Sequence, residues 1–360
     1  MPTPARARVT RRGLLTLAVA AALPAACTRR APSEVAAAPT TQPAPGSTSI
    51  APAVTASRAP SPSPSAAIPK VAAKKAVAPG GGPVPYHRGK VLLGSYLSLQ
   101  GRSLTQSLAL RRQQLGRDQR IVHVYYSWAD ALPRTQGNIG SGNTLMVSWH
   151  GTHYADITGG GSDKRIAAAA RNMAAIKKPA MLRWGWEMNG NWFDWDGTHN
   201  GRKAGGYITA WRRIHKIFRD EGADNVAFVW SPNWNSGPDV SWNAYERYYP
   251  GDAYVDWVGV SAYPFTGQTP RTLFHRICEE YGARKPIMAA ETASIDLGGS
   301  TKADWIKTFS AYVAATPAIG GVVWFDTDTQ GGTDVNFRVD TTKASLAAYK
   351  AMARSAHFAG

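Results

Sequence analysis

Cysteine is nearly absent from these 360 residues. Only Cys27 and Cys278 occur, one at the end of an apolar leader and the other inside a helical pattern, so no disulfide framework is expected. No CxxC pair and no His-rich spacing is present, which leaves no ground for a structural metal or any cofactor. No glycine-rich phosphate turn follows the first strand-like run, which speaks against an open, doubly wound nucleotide-binding sheet. The apolar stretch Leu14 to Leu23 is too short to remain in a bilayer as a permanent helix. Tryptophan is missing from the first 127 residues, because all thirteen lie at or after Trp128, whereas fifteen of the twenty-four prolines fall in residues 1–85. Acidic side chains are scarce in that same stretch. It holds ten Lys/Arg against Glu34 alone, and so carries +9 of the net +17. The basic excess therefore belongs mainly to the leader and a tether. The rest of the chain has no compact Lys/Arg cluster, so nucleic acid is not an expected partner.

What is present divides the chain into three. Residues 1–27 have the order of an export signal, with Arg6, Arg8, Arg11 and Arg12 ahead of the apolar stretch. The run Thr10-Arg11-Arg12-Gly13-Leu14-Leu15 is similar to a twin-arginine signal, and Leu23-Pro24-Ala25-Ala26-Cys27 to a lipoprotein cleavage box. Two readings stand there: membrane anchoring through a lipidated Cys27, or ordinary cleavage near Ala26. Residues 28–85, rich in Ala, Pro, Ser and Thr, cannot bury enough apolar surface to offset their ordering entropy and read as an extended linker. Residues 86–360 read as one domain, and nothing in them argues for more than a monomer.

In that domain short β-branched or aromatic runs alternate with helical patterns. Strands are expected to begin near Val91, Ile121, Thr144, Ala180, Val226, Val255, Pro286 and Gly320. Eight βα units imply a parallel sheet closed into a (β/α)8 barrel, of the α/β class. Chemistry in such a barrel sits at the C-terminal ends of the strands, where Glu187 and Glu291 emerge from apolar strands 4 and 7. Hydrolysis of a glycosidic bond needs two carboxyl groups flanking that bond, one protonated as the acid and one ionised as the nucleophile. Arg183, on the same strand as Glu187, would keep Glu291 ionised. Trp149, Trp184, Trp186, Trp192, Trp195, Trp234, Tyr263 and Trp324 lie at or just past strand ends, and indole faces stack well on sugar rings. Core packing is the expected fate of Trp211, Trp257 and Trp305.

At these residues the chain resembles glycoside hydrolase family 26, a retaining family best known for endo-β-1,4-mannanases. The segment RWGWEMNGNWFDW, Arg183 to Trp195, is similar to that family's acid/base segment, and PIMAAETAS to its nucleophile strand. The resemblance implies that Glu187 is the acid/base and Glu291 the nucleophile. It also implies that Tyr263 contacts the nucleophile, that Trp324 floors the subsite on the glycone side of the bond, and that His150 binds substrate. Arg183, Trp186, Trp192 and Trp195 complete the candidate substrate-binding set. A polysaccharide, most simply β-1,4-mannan, is the implied substrate. The family usually has His where Trp186 stands, and this departure keeps mixed-linkage β-glucan and β-1,3-xylan open, together with a non-catalytic carbohydrate-binding role.

Overall fold

Alternation along each β-branched run puts every second side chain on one face, and eight such runs close on themselves so that this face becomes the inside of a barrel. A computed structural model describes residues 80–328 and 335–358. Its strands are β1 (Leu92–Ser98), β2 (Ile121–Tyr126), β3 (Thr144–Trp149), β4 (Ala180–Trp184), β5 (Val226–Trp230), β6 (Trp257–Ala262), β7 (Ile287–Thr292) and β8 (Ile319–Thr327). All neighbouring pairs are parallel, and β8 returns to β1. The helices are α1 (Leu104–Leu115), α2 (Tyr154–Thr158), α3 (Asp163–Ala174), α4 (Ala204–Asp220), α5 (Pro270–Tyr281), α6 (Thr301–Ala315) and α7 (Lys343–Arg354). Two units depart from strict alternation. An irregular stretch without a helix joins β2 to β3, and only short 3₁₀ turns lie between β5 and β6. None of the described helices is long and apolar enough to cross a membrane.

The interior is layered. Ile121, Met146, Met181, Ala227, Val229, Trp257, Met288, Ala290 and Val323 form an apolar plug in the lower barrel. Outward positions such as Val147, Leu182, Phe228, Val260 and Val322 pack under the helices. Val84 joins the inner plug, and the Trp257 indole N–H is shared by the carbonyls of Gly81 and Val84 (3.2 and 3.1 Å). Gly81 has φ +106, where a Cβ would collide with Val84 O, so only glycine fits this turn. Residues 80–85, expected to end the linker, thus close the barrel floor, and the packed unit begins before Tyr86. The reason is that Val84 brings an apolar side chain into a gap that the strands alone leave open. The expected leader, Cys27 and the linker up to residue 79 lie outside the described residues.

A buried ionic knot ties β8 to the outer layer. Arg111 of α1 donates to Asp326 through Nε (2.6 Å) and Nη2 (2.7 Å) and pairs with Asp340 (2.8 Å), with Arg111 and Asp326 both inaccessible to water. Cys278 is a free thiol packed among outer-layer side chains, and burial pushes it up to about 12.

Candidate active site

Above the apolar plug the inward positions turn polar. Counting up the strands by twos, Ile121 leads to His123 and Tyr125, Met146 to Ser148, Met181 to Arg183, and Trp257 to Ser261. On β7 this count puts Met288 and Ala290 inside and would send Glu291 outward. The register shows why it does not. Ala289 pairs with Val322 and Thr292 with Trp324, so Ala290 and Glu291 together oppose Val323 alone. This bulge changes the phase of β7 and aims Glu291 into the barrel.

Glu291 is 3% exposed and fully bonded. Arg183 Nη1 donates to its Oε2 (2.7 Å), the Tyr125 hydroxyl to the same oxygen (2.7 Å), and the Tyr263 hydroxyl to Oε1 (2.8 Å). Burial works against charge on Arg183, but the charge of Glu291 and the bond to it outweigh that and keep the guanidinium protonated. Burial, then the Glu291 charge, keep both tyrosines neutral donors. Below them His123 Nε2 meets the Ser148 hydroxyl (2.6 Å), which also receives Arg183 Nη1 (3.2 Å). Burial, then Arg183, push His123 far below the usual histidine range, so the ring beside Ser148 is neutral. Arg183 Nη2 donates to the Ser261 hydroxyl, and that hydroxyl also faces Glu187. One guanidinium and one serine thus link the two carboxyl groups.

Glu187 lies just past β4, with φ +55 following φ +50 at Gly185. A left-handed Glu costs on the order of 1–3 kcal/mol and persists only where its surroundings fix it. They do so here. The Glu187 N–H bonds Ser231 O (2.8 Å), and the buried Asn189 side chain bonds both the N–H (2.8 Å) and the C=O (3.0 Å) of Asn233. Gly190 has no side chain, and a Cβ there would sit 2.6 Å from the Trp192 ring, so the loop folds back and Trp192 Nε1 reaches Glu187 Oε2 (2.8 Å). Burial, followed by the Glu291 charge, raises the Glu187 carboxyl to about 7, against the opposing pull of Arg183, Ser261 and Trp192. One carboxyl holds a proton near neutrality while the other is ion-paired, the division of labour that an acid and a nucleophile require.

The remaining candidate residues are placed unevenly. Trp186 packs on Arg183 (guanidinium carbon 5.1 Å from the ring centroid), Tyr125 (5.3 Å) and His150 (5.3 Å), and so walls the site. His150 is half-buried between Trp186 and Trp195, and its Nε2 has no hydrogen-bond partner among the described residues. Trp195 lies one layer back. It is stacked on Phe193 (4.2 Å), and its N–H is spent on the Trp186 carbonyl (2.8 Å). Trp324 is not brought to the site. It points outward between Trp305 and Tyr349 and bonds Phe337 O, because its neighbour Phe325 holds the inward phase of β8. Phe325 stacks on Tyr96 (5.0 Å) and meets Tyr263 edge-on (6.2 Å). Trp149 and Trp184 also face outward, stacked on Trp128 and Tyr207. Sequence reasoning missed Tyr125, His123, Ser148, Ser261 and Phe325, although continuing the two-residue count up β2 would have found the first two.

A family model described as glycosyl hydrolase family 26 matches residues 144–343. "Endoglucanase H" of Acetivibrio thermocellus is 31% identical over 254 residues, which are 65% of this chain and 27% of that protein. "Mannan endo-1,4-beta-mannosidase A and B" of Caldalkalibacillus mannanilyticus is 37% identical over 110 residues, 29% of this chain and 20% of that one. The chain thus spans about a quarter of the length of these curated relatives. Among solved structures, a Cellulomonas fimi endo-beta-1,4-mannanase double mutant shares the fold with TM-score 0.54 at 19% identity, over 75% of this chain and 72% of that one.

Proposed function

The chain belongs to glycosyl hydrolase family 26, and from that premise we propose that it is a retaining endo-β-glycanase with Glu187 as acid/base and Glu291 as nucleophile. The observation that carries the reading is the linked carboxyl pair, one raised to about 7 and the other bonded to Arg183, Tyr125 and Tyr263. Glu291 attacks the anomeric carbon as the glycosidic C–O bond breaks, and Glu187 gives its proton to the departing oxygen. The resulting ester removes the negative charge of Glu291. Arg183 and the Trp192 N–H remain, and both pull the Glu187 value down. Glu187 is then ionised and takes a proton from the water that attacks the same carbon, releasing Glu291 and restoring the start.

The polymer read from the family resemblance is β-1,4-mannan, and the mannosidase relatives support it. Two observations favour mixed-linkage β-glucan as a second reading. The match to the endoglucanase spans 254 residues against 110 for the mannosidase, and the indole of Trp186 offers a sugar hydroxyl no acceptor nitrogen. The enzyme acts as an exported monomer, either anchored through a lipid on Cys27 or released after cleavage near Ala26, with the stretch after the leader as tether.

The test is product release from mannan, galactomannan, mixed-linkage β-glucan, β-1,3-xylan and cellulose, with Glu291→Ala as control. Hydrolysis of one polymer, lost in the control, is the expected outcome. Silence on all five from folded protein, with binding retained, replaces the enzyme with a carbohydrate-binding barrel.

A further inference from the structure

The exit turn of β2 carries an indole that the catalytic machinery does not use. Asp130 closes this turn, its carboxylate accepting the Ser127 N–H (2.8 Å) and its own N–H reaching Ser127 O (3.1 Å). Arg165 of α3 donates to the carbonyls of Trp128 (3.3 Å) and Ala129 (2.9 Å). The Trp128 ring rests on Trp149, with centroids 4.3 Å apart and planes 22° from parallel. The indole is therefore held from the backbone and from beneath, while the residue stays only half-buried.

Beside it lies a cavity of about 510 Å³ lined by Trp128, Asp156, Gly161, Ser162, Lys164 and Arg165. That volume falls in the range of about 300–1,000 Å³ usual for ligand sites. These residues come from the β2 exit, from α2 and from the start of α3. A helix that follows one parallel strand and precedes the next begins at the strands' C-terminal face. The cavity therefore opens on the same face as Glu187 and Glu291. Trp128 rests on Trp149, and the next residue, His150, touches Trp186 of the site wall. Its chemistry is that of a sugar site: an apolar ring face for the C–H side of a pyranose, Asp156 to accept hydroxyl protons, and Lys164 and Ser162 to donate. Trp128 precedes the stretch matched by the family model.

We propose that this cavity is a distal sugar subsite, in which one ring of the polysaccharide chain stacks on Trp128 while another part of that chain is cleaved between Glu187 and Glu291. The proposal rests on the glycanase reading above. It makes cleavage depend on chain length and favours long polymers over short fragments.

The test compares full-length protein with Trp128→Ala, Trp128→Phe and the double variant Asp156→Ala/Lys164→Ala, whose two positions are exposed and do not threaten folding. The readout is the ratio of kcat/KM on the polymer found by the panel to kcat/KM on a short aryl glycoside that fills only the positions beside the carboxylates. Losing one stacked ring is expected to lower this ratio roughly tenfold in Trp128→Ala, through KM on the polymer, with partial recovery in Trp128→Phe. The double variant is expected to lower the ratio as well. An unchanged ratio in Trp128→Ala and in the double variant overturns the subsite and leaves the glycanase reading standing. If no polymer is cleaved, retardation of the protein in native gels containing galactomannan or mixed-linkage β-glucan replaces the ratio. Retardation abolished by Trp128→Ala then supports a sugar site at Trp128 without the glycanase, and retardation indifferent to it, or absent, overturns the site.

Discussion

Replacing Glu291 by Gln tests how the two carboxyl groups divide their labour. The substitution keeps the shape of the side chain but removes its charge, as glycosylation of Glu291 would. Burial is the largest cause of the raised Glu187 value and stays; the Glu291 charge comes next and goes, while Arg183 remains beside the site. At the separation of about 5.5 Å found in retaining pairs, and an effective dielectric of about 20, one carboxylate charge is worth about 3 kcal/mol to another. That corresponds to about 2 pKa units. Glu187, at about 7 in the native protein, is therefore expected near 5 in Glu291→Gln, close to the ordinary value. The measurement is the titration of the Glu187 carboxyl by ¹³C NMR of labelled protein or by infrared absorption of the protonated group, with near-ultraviolet circular dichroism to establish folding. A Glu187 that still titrates at 7 or above would show that burial alone sets its value, and the proton-switching argument would fail. The sign of the linkage is also fixed. The folded value lies above the ordinary 4.5, so Glu187 contributes stability that is complete below about 4.5 and is lost as pH rises through 7.

Three further outcomes follow. Glu187→Ala should lose most activity on polymer and recover it with azide or with substrates bearing good leaving groups, since each bypasses one proton transfer; a folded variant that shows no rescue contradicts the acid/base role. Trp192→Phe removes a donor that favours ionised Glu187, so the alkaline limb of kcat/KM should move up by roughly half to one pH unit, and a downward movement would refute the contact. Arg111→Met leaves Asp326 buried without its partner and should cost about 3–5 kcal/mol, lowering the thermal midpoint by roughly 10 °C; a change below about 2 °C would mean the knot contributes little.

The barrel and its carboxyl pair were legible because both leave a local trace. Apolar runs separated by amphipathic helices mark the strands, and a Glu at the end of an apolar strand stands out. Arg183 and Tyr263 were found for the same reason. The misplacement of Trp324 and the unexpected course of β7 share one physical cause, the phase of the strand. Trp324 and Phe325 are adjacent aromatics on β8, and their order alone does not say which one faces in. Register with β1 and β7 decides it, through pairing that spans most of the chain. On β7 the bulge at Ala290 adds one residue and reverses the phase, an event with no composition of its own. Tyr125 and His123 escaped because they sit within a strand rather than at its tip. The floor escaped because Gly80 to Pro85 share the small-residue, Pro-rich character of the stretch before them, and only Val84 and the partner Trp257 distinguish them.

That floor also gives the molecule a direction. The chain enters the barrel at the pole opposite Glu187 and Glu291, and the Trp257 N–H clasps the entering backbone there. Entry and chemistry thus lie at opposite ends of the barrel with the apolar plug between them, so a disturbance of the turn at Gly81 can reach Glu187 and Glu291 only by shifting that plug.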